Sequence, residues 1–256
     1  LLVFLFSLAC RFIVVVNSPV NFDTYGHLYF VKELKKQKKG PFSEIELKVI
    51  GSSSFSHPFL WHWIFTIFSI SVILKYQKWI NPFLDSVFTL LIYGIALKIG
   101  LARNESLVIV ALYLFTPMWF SQLSHGPRIF SLTPRLFSEI FTNLFYIITI
   151  LPLDLSYWVV ITLGGLISCM VIVSTKFGVQ AIFFLTPVIS VLLNDPKPIF
   201  SIIFGTLLSV AISRGKIFYA LKEQYLHLLN YYKKNKDGKM PVSKRNRINT
   251  LLESLD

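Results

Sequence analysis

The chain has 256 residues, of which 54% are hydrophobic and 16% aromatic, while only 15% are charged. A soluble domain of that length carries about a quarter charged residues, so this composition, with a mean hydropathy of +0.62, excludes an ordinary soluble globule and predicts a polytopic membrane protein. The formal net charge of +12 does not point to nucleic acid, because the lysines sit in loops and a tail beside apolar runs, where anionic headgroups or a lipid phosphate are the natural partners.

Taken in chain order, the apolar runs are about 1–17, 58–74, 82–99, 105–121, 136–153, 157–174, 177–193 and 199–213. The expected fold is therefore all-α: a transmembrane helical bundle of about 7–8 spans, with amphipathic interfacial helices in the first outer loop. Several runs fall short of the ~20 residues a spanning helix needs, so their ends draw on Trp, Tyr and Lys flanks. The organisation reads as a transmembrane core over 1–213 and a basic amphipathic tail over 214–256, with 18–56 as the first extracytoplasmic loop. The chain opens on Leu1 rather than Met, as an excerpt of a longer protein does. Cys10 and Cys169 lie far apart in apolar runs and read as small hydrophobes, not a disulfide or a zinc site.

The run from 57 to 74 reads either as a span or as a helix lying at the interface. It opens on His57-Pro58, holds Trp61, His62 and Trp63, and closes with Lys75, Tyr76, Lys78 and Trp79, which is the composition of an interfacial helix. Placing it on the surface turns every later loop to the other face, so charge counting leaves the orientation open.

The first polar loop opens Asp23-Thr-Tyr25-Gly-His27. A helix from about 23 to 36 puts Asp23 and His27 on one face, one turn apart. Leu28, Val31 and Leu34 are then expected to rest on the membrane, with Lys32, Lys35, Lys36, Lys38 and Lys39 facing water or headgroups. A carboxylate there suits a general base or a hard-cation ligand, and equally a helix N-cap. His57 reads as an acceptor-side group or as the marker of a helix start before Pro58.

The second loop carries Arg128 and Arg135, whose guanidinium forks match phosphate oxygens and which otherwise anchor helix ends. Thr133-Pro134 is a cap and first-turn signal for the next helix. Glu139, inside that helix, calls for a partner such as Arg135, one turn before it, because a charge at mid-bilayer costs on the order of 3 kcal/mol. The polar break Ser174-Thr-Lys-Phe-Gly178 offers Lys176 either as a snorkelling cation or as a phosphate contact, with Gly178 as turn chemistry. Gly-rich phosphate loops, His-Glu-x-x-His, paired-Cys motifs and nucleophile elbows are absent from the sequence.

In order, the chain presents one span, a polar loop opening with an acid, and a loop helix introduced by His57-Pro58. An apolar helix ending Leu-Lys-Ile-Gly-Leu-Ala-Arg103 follows, then a helix ending Leu-Phe-Thr-Pro-Met-Trp-Phe-Ser121 that leads into a second polar loop. This pattern, over about residues 1–190, resembles the GT-C membrane glycosyltransferases, which include protein mannosyltransferases, aminoarabinose transferases and oligosaccharyltransferase catalytic subunits.

The resemblance implies transfer of a sugar from a polyprenyl-phosphate or -diphosphate donor to a glycan, lipid or protein acceptor. The reaction would take place on the outer face of the plasma membrane, or in the lumen for an ER protein. It implies Asp23 as base or metal-associated carboxylate and Lys176 near the donor phosphates; in such an enzyme Tyr25, His27 and His57 are expected to shape the acceptor side, and Arg128 and Arg135 to join Lys176 at the phosphate. It also implies that 57–74 is a surface helix. Many members carry a second acid near where this chain reads Thr133-Pro-Arg135. Its absence leaves Mg²⁺ or Mn²⁺ dependence open, with Glu33 or Glu139 as the substitutes beside Asp23. The family is usually longer, so this chain reads as the membrane core. The competing classes are a transporter or flippase for a lipid-linked anion, and a non-catalytic membrane subunit.

Overall fold

The structure, a computed structural model, describes residues 1–16, 22–47, 53–55, 59–115 and 132–222, together with 225, 226 and 229; at Phe22, Asp23, Leu47, 53–55, Lys176 and Phe177 it describes the backbone alone. Two units are distinguished, Leu1–Ile217 and Phe218–Asp256. In the second, the described residues begin with helical backbone from Phe218 to Lys222.

The first unit is helical. Its elements are α1 (Leu2–Val16), α2 (Phe22–Lys36), β1 (Ile45–Leu47), β2 (Ser53–Phe55), α3 (Leu60–Phe65), α4 (Ile70–Lys98), α5 (Arg103–Leu114), α6 (Pro134–Ile150), α7 (Tyr157–Ile172), α8 (Lys176–Leu193) and α9 (Lys197–Ser213). The two strands form an antiparallel hairpin with Glu46 opposite Ser54, an element the all-α reading did not contain.

Among the described residues α4 is the helix that is both long and apolar enough to cross a membrane. Its 29 residues span about 43 Å at 1.5 Å per residue. Local chemistry fixes both ends. Ser69 Oγ accepts from Val72 N at 3.3 Å, and Gly100, at φ +92°, closes the far end. There Leu101 N bonds Ala96 O at 3.2 Å and Gly100 N bonds Leu97 O at 3.1 Å, the paired bonds of a Schellman motif.

This corrects two expected runs. The stretch 57–74 is neither one span nor one interfacial helix. Its described part is the six-residue α3, a break at Thr66–Ser69, and the first turn of α4. The run expected at 82–99 in fact starts at Ile70 and carries Pro82 inside it. The run 105–121 is helical to Leu114, and its continuation from 116 to 131 lies outside the described residues. Among the described residues the helices other than α4 run 18 residues or fewer, so their lengths do not support a bundle of 7–8 membrane-length spans.

Contacts set the helix directions. Ser7 pairs with Thr89, Arg11 with Asp85, and the Val16 carbonyl with Lys78 Nζ, so α1 and α4 run antiparallel. On the other side of the unit α7 and α9 run parallel, with Gly164 against Ser201, Gly165 against Phe204, and Ser168 against Gly205. The approach is close: a Cβ on Gly205 would lie 2.6 Å from the Gly165 carbonyl oxygen. Small residues at an interface let helix backbones meet in this way. The same helices bury Ser168, Ser201 and Ser209 and expose large apolar side chains, as does α8, where Phe184 is 70% and Val191 78% exposed.

Candidate functional site

One end of the first unit gathers the elements that carry the candidate residues. Thr24 Oγ1, in the first turn of α2, accepts from Leu132 N at 3.0 Å, which ties the start of α2 to the residue just before the α6 cap. Phe59 N bonds Pro41 O at 3.2 Å, and Leu60 N bonds Val173 O at 3.2 Å, so α3 bridges the first loop to the end of α7. Thr175 Oγ1 donates to Ser138 Oγ at 2.9 Å, joining the α7–α8 junction to α6. Four stretches far apart in sequence thus share one end.

The helix expected at 23–36 is present as α2, but its apolar face does not lie on a membrane. Leu28 and Val31 pack with Trp61, Phe65, Ile73 and Leu132, and Leu34 packs with Ile45 and Phe59. The reason is that α3 and the hairpin cover that face and bury it within the protein. The lysines remain outside, as expected; Lys35 Nζ donates to Phe68 O at 3.1 Å.

The candidate residues fall as follows. Asp23 is the second residue of α2, with its backbone beside Thr24, and its side chain is outside the description. Tyr25 is exposed. His27, one turn after Asp23, places Nδ1 2.8 Å from His62 Nε2 of α3. Burial, and then the charge of Arg135, push the His27 pKa down to about 4, so the ring is neutral at physiological pH. Arg135 is the second residue of α6, whose start follows the expected pattern: Pro134 leads the helix and Thr133 Oγ1 accepts from Arg135 N at 3.4 Å. Glu139 lies within electrostatic reach of Asp85, a like charge, and of Arg135, the cation one turn before it. Lys176 opens α8 behind its cap Thr175, whose Oγ1 accepts from Gly178 N at 3.1 Å. His57 and Arg128 lie outside the described residues.

Two expectations change. Gly178 is not a turn residue. It sits in the first turn of α8 where a Cβ would run into Ser138 Oγ and Val171 Cγ1, so glycine is required by the packing of α8 on α6 and α7. Glu33 does not belong with Asp23. Ten residues along one helix separate them by about 15 Å, and the Glu33 carboxylate is buried and accepts from Gln37 Nε2 at 2.9 Å.

For a divalent cation, the fit is incomplete. Among the described residues no three His, Cys, Asp or Glu side chains converge as ligands, and the imidazoles of His27 and His62 are poor company for Mg²⁺, which prefers oxygen donors.

The sequence reading missed a second polar cluster, set below this end between α1, α4 and α5. Arg11 Nε donates to Asp85 Oδ2 at 2.6 Å, both side chains being fully buried. Tyr113 OH donates to Asp85 Oδ1 at 2.6 Å, and Arg11 Nη1 donates to the Leu114 carbonyl at 2.7 Å. The arginine thereby engages the carbonyl of the last residue of α5. The available signal was a single opposite charge inside each of two apolar runs, a pairing that membrane burial favours.

Comparisons of the chain with protein-family models, with curated proteins and with solved structures find no match to any of the three.

Proposed function

We propose that the chain is an integral membrane glycosyltransferase core of the GT-C type, which moves a sugar from a polyprenyl-phosphate-linked donor to an extracytoplasmic acceptor. The observation that carries this reading is the meeting of α2, α3, the start of α6 and the α7–α8 junction at one end. The segments that carry Asp23, His27, Arg135 and Lys176 are the ones joined there, which supports a common site.

Membrane integration, in the plasma membrane with the site outward or in the ER with the site luminal, is supported by a side-chain distribution turned inside out. The helices α7 and α9 bury serines and glycines against each other, while Phe184, Val191, Leu192 and Leu207 point outward. Water disfavours so large an apolar surface, and lipid accepts it. The shorter helices α1, α5, α6, α7, α8 and α9 complete the spans around α4 by drawing on their interfacial flanks.

In this reading Asp23 takes the proton of the acceptor hydroxyl as its oxygen attacks the anomeric carbon. The bond between that carbon and the donor phosphate breaks, and the phosphate leaves on the lipid. Arg128, Arg135 and Lys176 bind the phosphate as its charge develops, a form of electrostatic stabilisation that acts most strongly away from bulk water. Tyr25, His27 and His57 shape the acceptor side. A Mg²⁺ or Mn²⁺ ion, if bound, would take Asp23 as a ligand.

One observation favours a second reading, a transporter or flippase of a lipid-linked anion: the charged pair Arg11–Asp85 buried among the helices, since paired ionisable groups inside spans mark ion and substrate pathways. Asp23→Asn separates the readings in proteoliposomes supplied with a polyprenyl-phosphate sugar. The glycosyltransferase loses transfer by 10²-fold or more, as expected for a positioned proton acceptor, with normal expression. A transporter keeps its flux, and a non-catalytic subunit is unaffected; either result overturns the proposal.

A further inference from the structure

The His62 imidazole is the buried polar group that the scheme above leaves without a task. It is 1% exposed and enclosed by rings: Phe30 and Phe59 meet it edge-on at 5.5 and 5.6 Å, and His27 stacks on it at 5.0 Å. A wall of this kind would hold a phenylalanine at less desolvation cost, so the imidazole is accounted for by what its nitrogens do. Its Nε2 lies 2.8 Å from His27 Nδ1.

At that distance one proton lies between the two nitrogens, donated by one ring and accepted by the other. The His27 Nδ1 is then committed, and the state of its second nitrogen follows. If Nδ1 carries the proton, Nε2 presents a lone pair; if Nδ1 accepts, Nε2 presents an N–H. The tautomers of the two rings are thereby coupled, one ring's proton dictating the other's, and the His27 ring plane is set, as when a second group orients a ligating histidine.

We propose that His62 is a positioning residue: through its hydrogen bond to His27 it fixes the orientation, and couples to its own the tautomer, of the imidazole that faces the acceptor side of the site. What His27 then does for the acceptor rests on the glycosyl-transfer reading, whereas the histidine pair itself does not.

The surroundings favour a neutral His27. Arg135 at the head of α6 repels a second proton on His27. Glu139 lies one turn further along α6, and α3 contributes His62. On α2 itself Asp23 precedes by one turn, and Glu33 is held by Gln37 more than one turn beyond. On β1 the Glu46 backbone is engaged by the same glutamine.

The test uses the full chain in nanodiscs with ¹⁵N-labelled histidine; five histidines are present. A direct nitrogen–nitrogen coupling across the hydrogen bond is expected, lost in both His27→Phe and His62→Phe. In His62→Phe, a substitution of similar size, the His27 nitrogens should shift to tautomer-averaged positions. In His62→Gln, which can still hydrogen-bond, they should return toward their parent positions. Transfer from a polyprenyl-phosphate sugar should fall on the order of tenfold or more in His62→Phe, in kcat rather than in donor KM, with part of the loss restored in His62→Gln. Absence of the coupling, or unchanged His27 shifts in His62→Phe, overturns the proposal. So does a full rate of transfer in His62→Phe when Asp23→Asn has none, which leaves the enzyme reading standing. Absence of transfer by the unsubstituted chain removes the enzyme reading instead, and the nitrogen coupling still decides whether His62 orients His27.

Discussion

Replacing Asp85 with leucine strands a charge. Arg11 is fully buried and loses the carboxylate 2.6 Å from its Nε, and Tyr113 loses the acceptor 2.6 Å from its hydroxyl. Removing one member of a buried ion pair costs about 3–5 kcal/mol, because the remaining charge is left uncompensated, whereas replacing both members with apolar groups is often neutral. The single variant Asp85→Leu should therefore lose about 3–5 kcal/mol. The double variant Arg11→Met/Asp85→Leu should recover part of that loss, the remainder being the Leu114 carbonyl and the Tyr113 hydroxyl left without these partners. Reversible unfolding in mixed micelles of rising SDS content, followed through the five tryptophans, measures both. A loss below about 1 kcal/mol for the single variant refutes the reasoning, and so does a double variant less stable than the single one.

Three further outcomes follow from the same contacts. His27 has a pKa near 4 in the folded chain against 6.5 ordinarily, so the unfolded chain binds a proton first as pH falls. Stability contributed by this ring is complete above about pH 6.5 and declines as pH drops toward 4, by at most about 3 kcal/mol at 1.36 kcal/mol per unit; unfolding free energies across pH 4–7 should show a shallower slope in His27→Asn. Thr24→Val leaves the Leu132 amide without its acceptor and should cost about 1–3 kcal/mol, with hydrogen exchange rising first at the start of α6. Gly205→Ala presses a methyl onto the Gly165 carbonyl and should cost about 1–3 kcal/mol, while Gly94→Ala, where a Cβ meets nothing within 4 Å, should be neutral or better.

The parts of this architecture that were legible in the sequence are those set by local chemistry. Thr133-Pro134 starts a helix as a cap and first-turn residue must, and the 23–36 helix follows from its periodicity. The polar break at Ser174–Gly178 is marked by its own composition. What escaped the reading depends on partners distant in sequence. Composition does not distinguish an apolar face lying on lipid from one covered by a neighbouring helix, so Leu28, Val31 and Leu34 were assigned to the membrane although α3 and the hairpin bury them. The division of 57–98 failed because Thr66–Ser69 breaks the helix where no proline stands, while Pro82 lies inside α4 and does not break it. Arg11 and Asp85 each look like an isolated charge in an apolar run until α1 is laid antiparallel on α4. His62 was absorbed into an interfacial aromatic cluster for the same reason, since its partner lies on another helix.

The account stands on the first and second polar segments opening on the same face of the membrane. The direct measurement is labelling with a membrane-impermeant maleimide in sealed, oriented vesicles. The cysteines would be placed one at a time at Ser53 and Ser131, in a chain whose Cys10 and Cys169 are replaced by alanine. Labelling of both positions from one side is the expected result. Labelling from opposite sides would mean that the residues proposed to act together face different compartments.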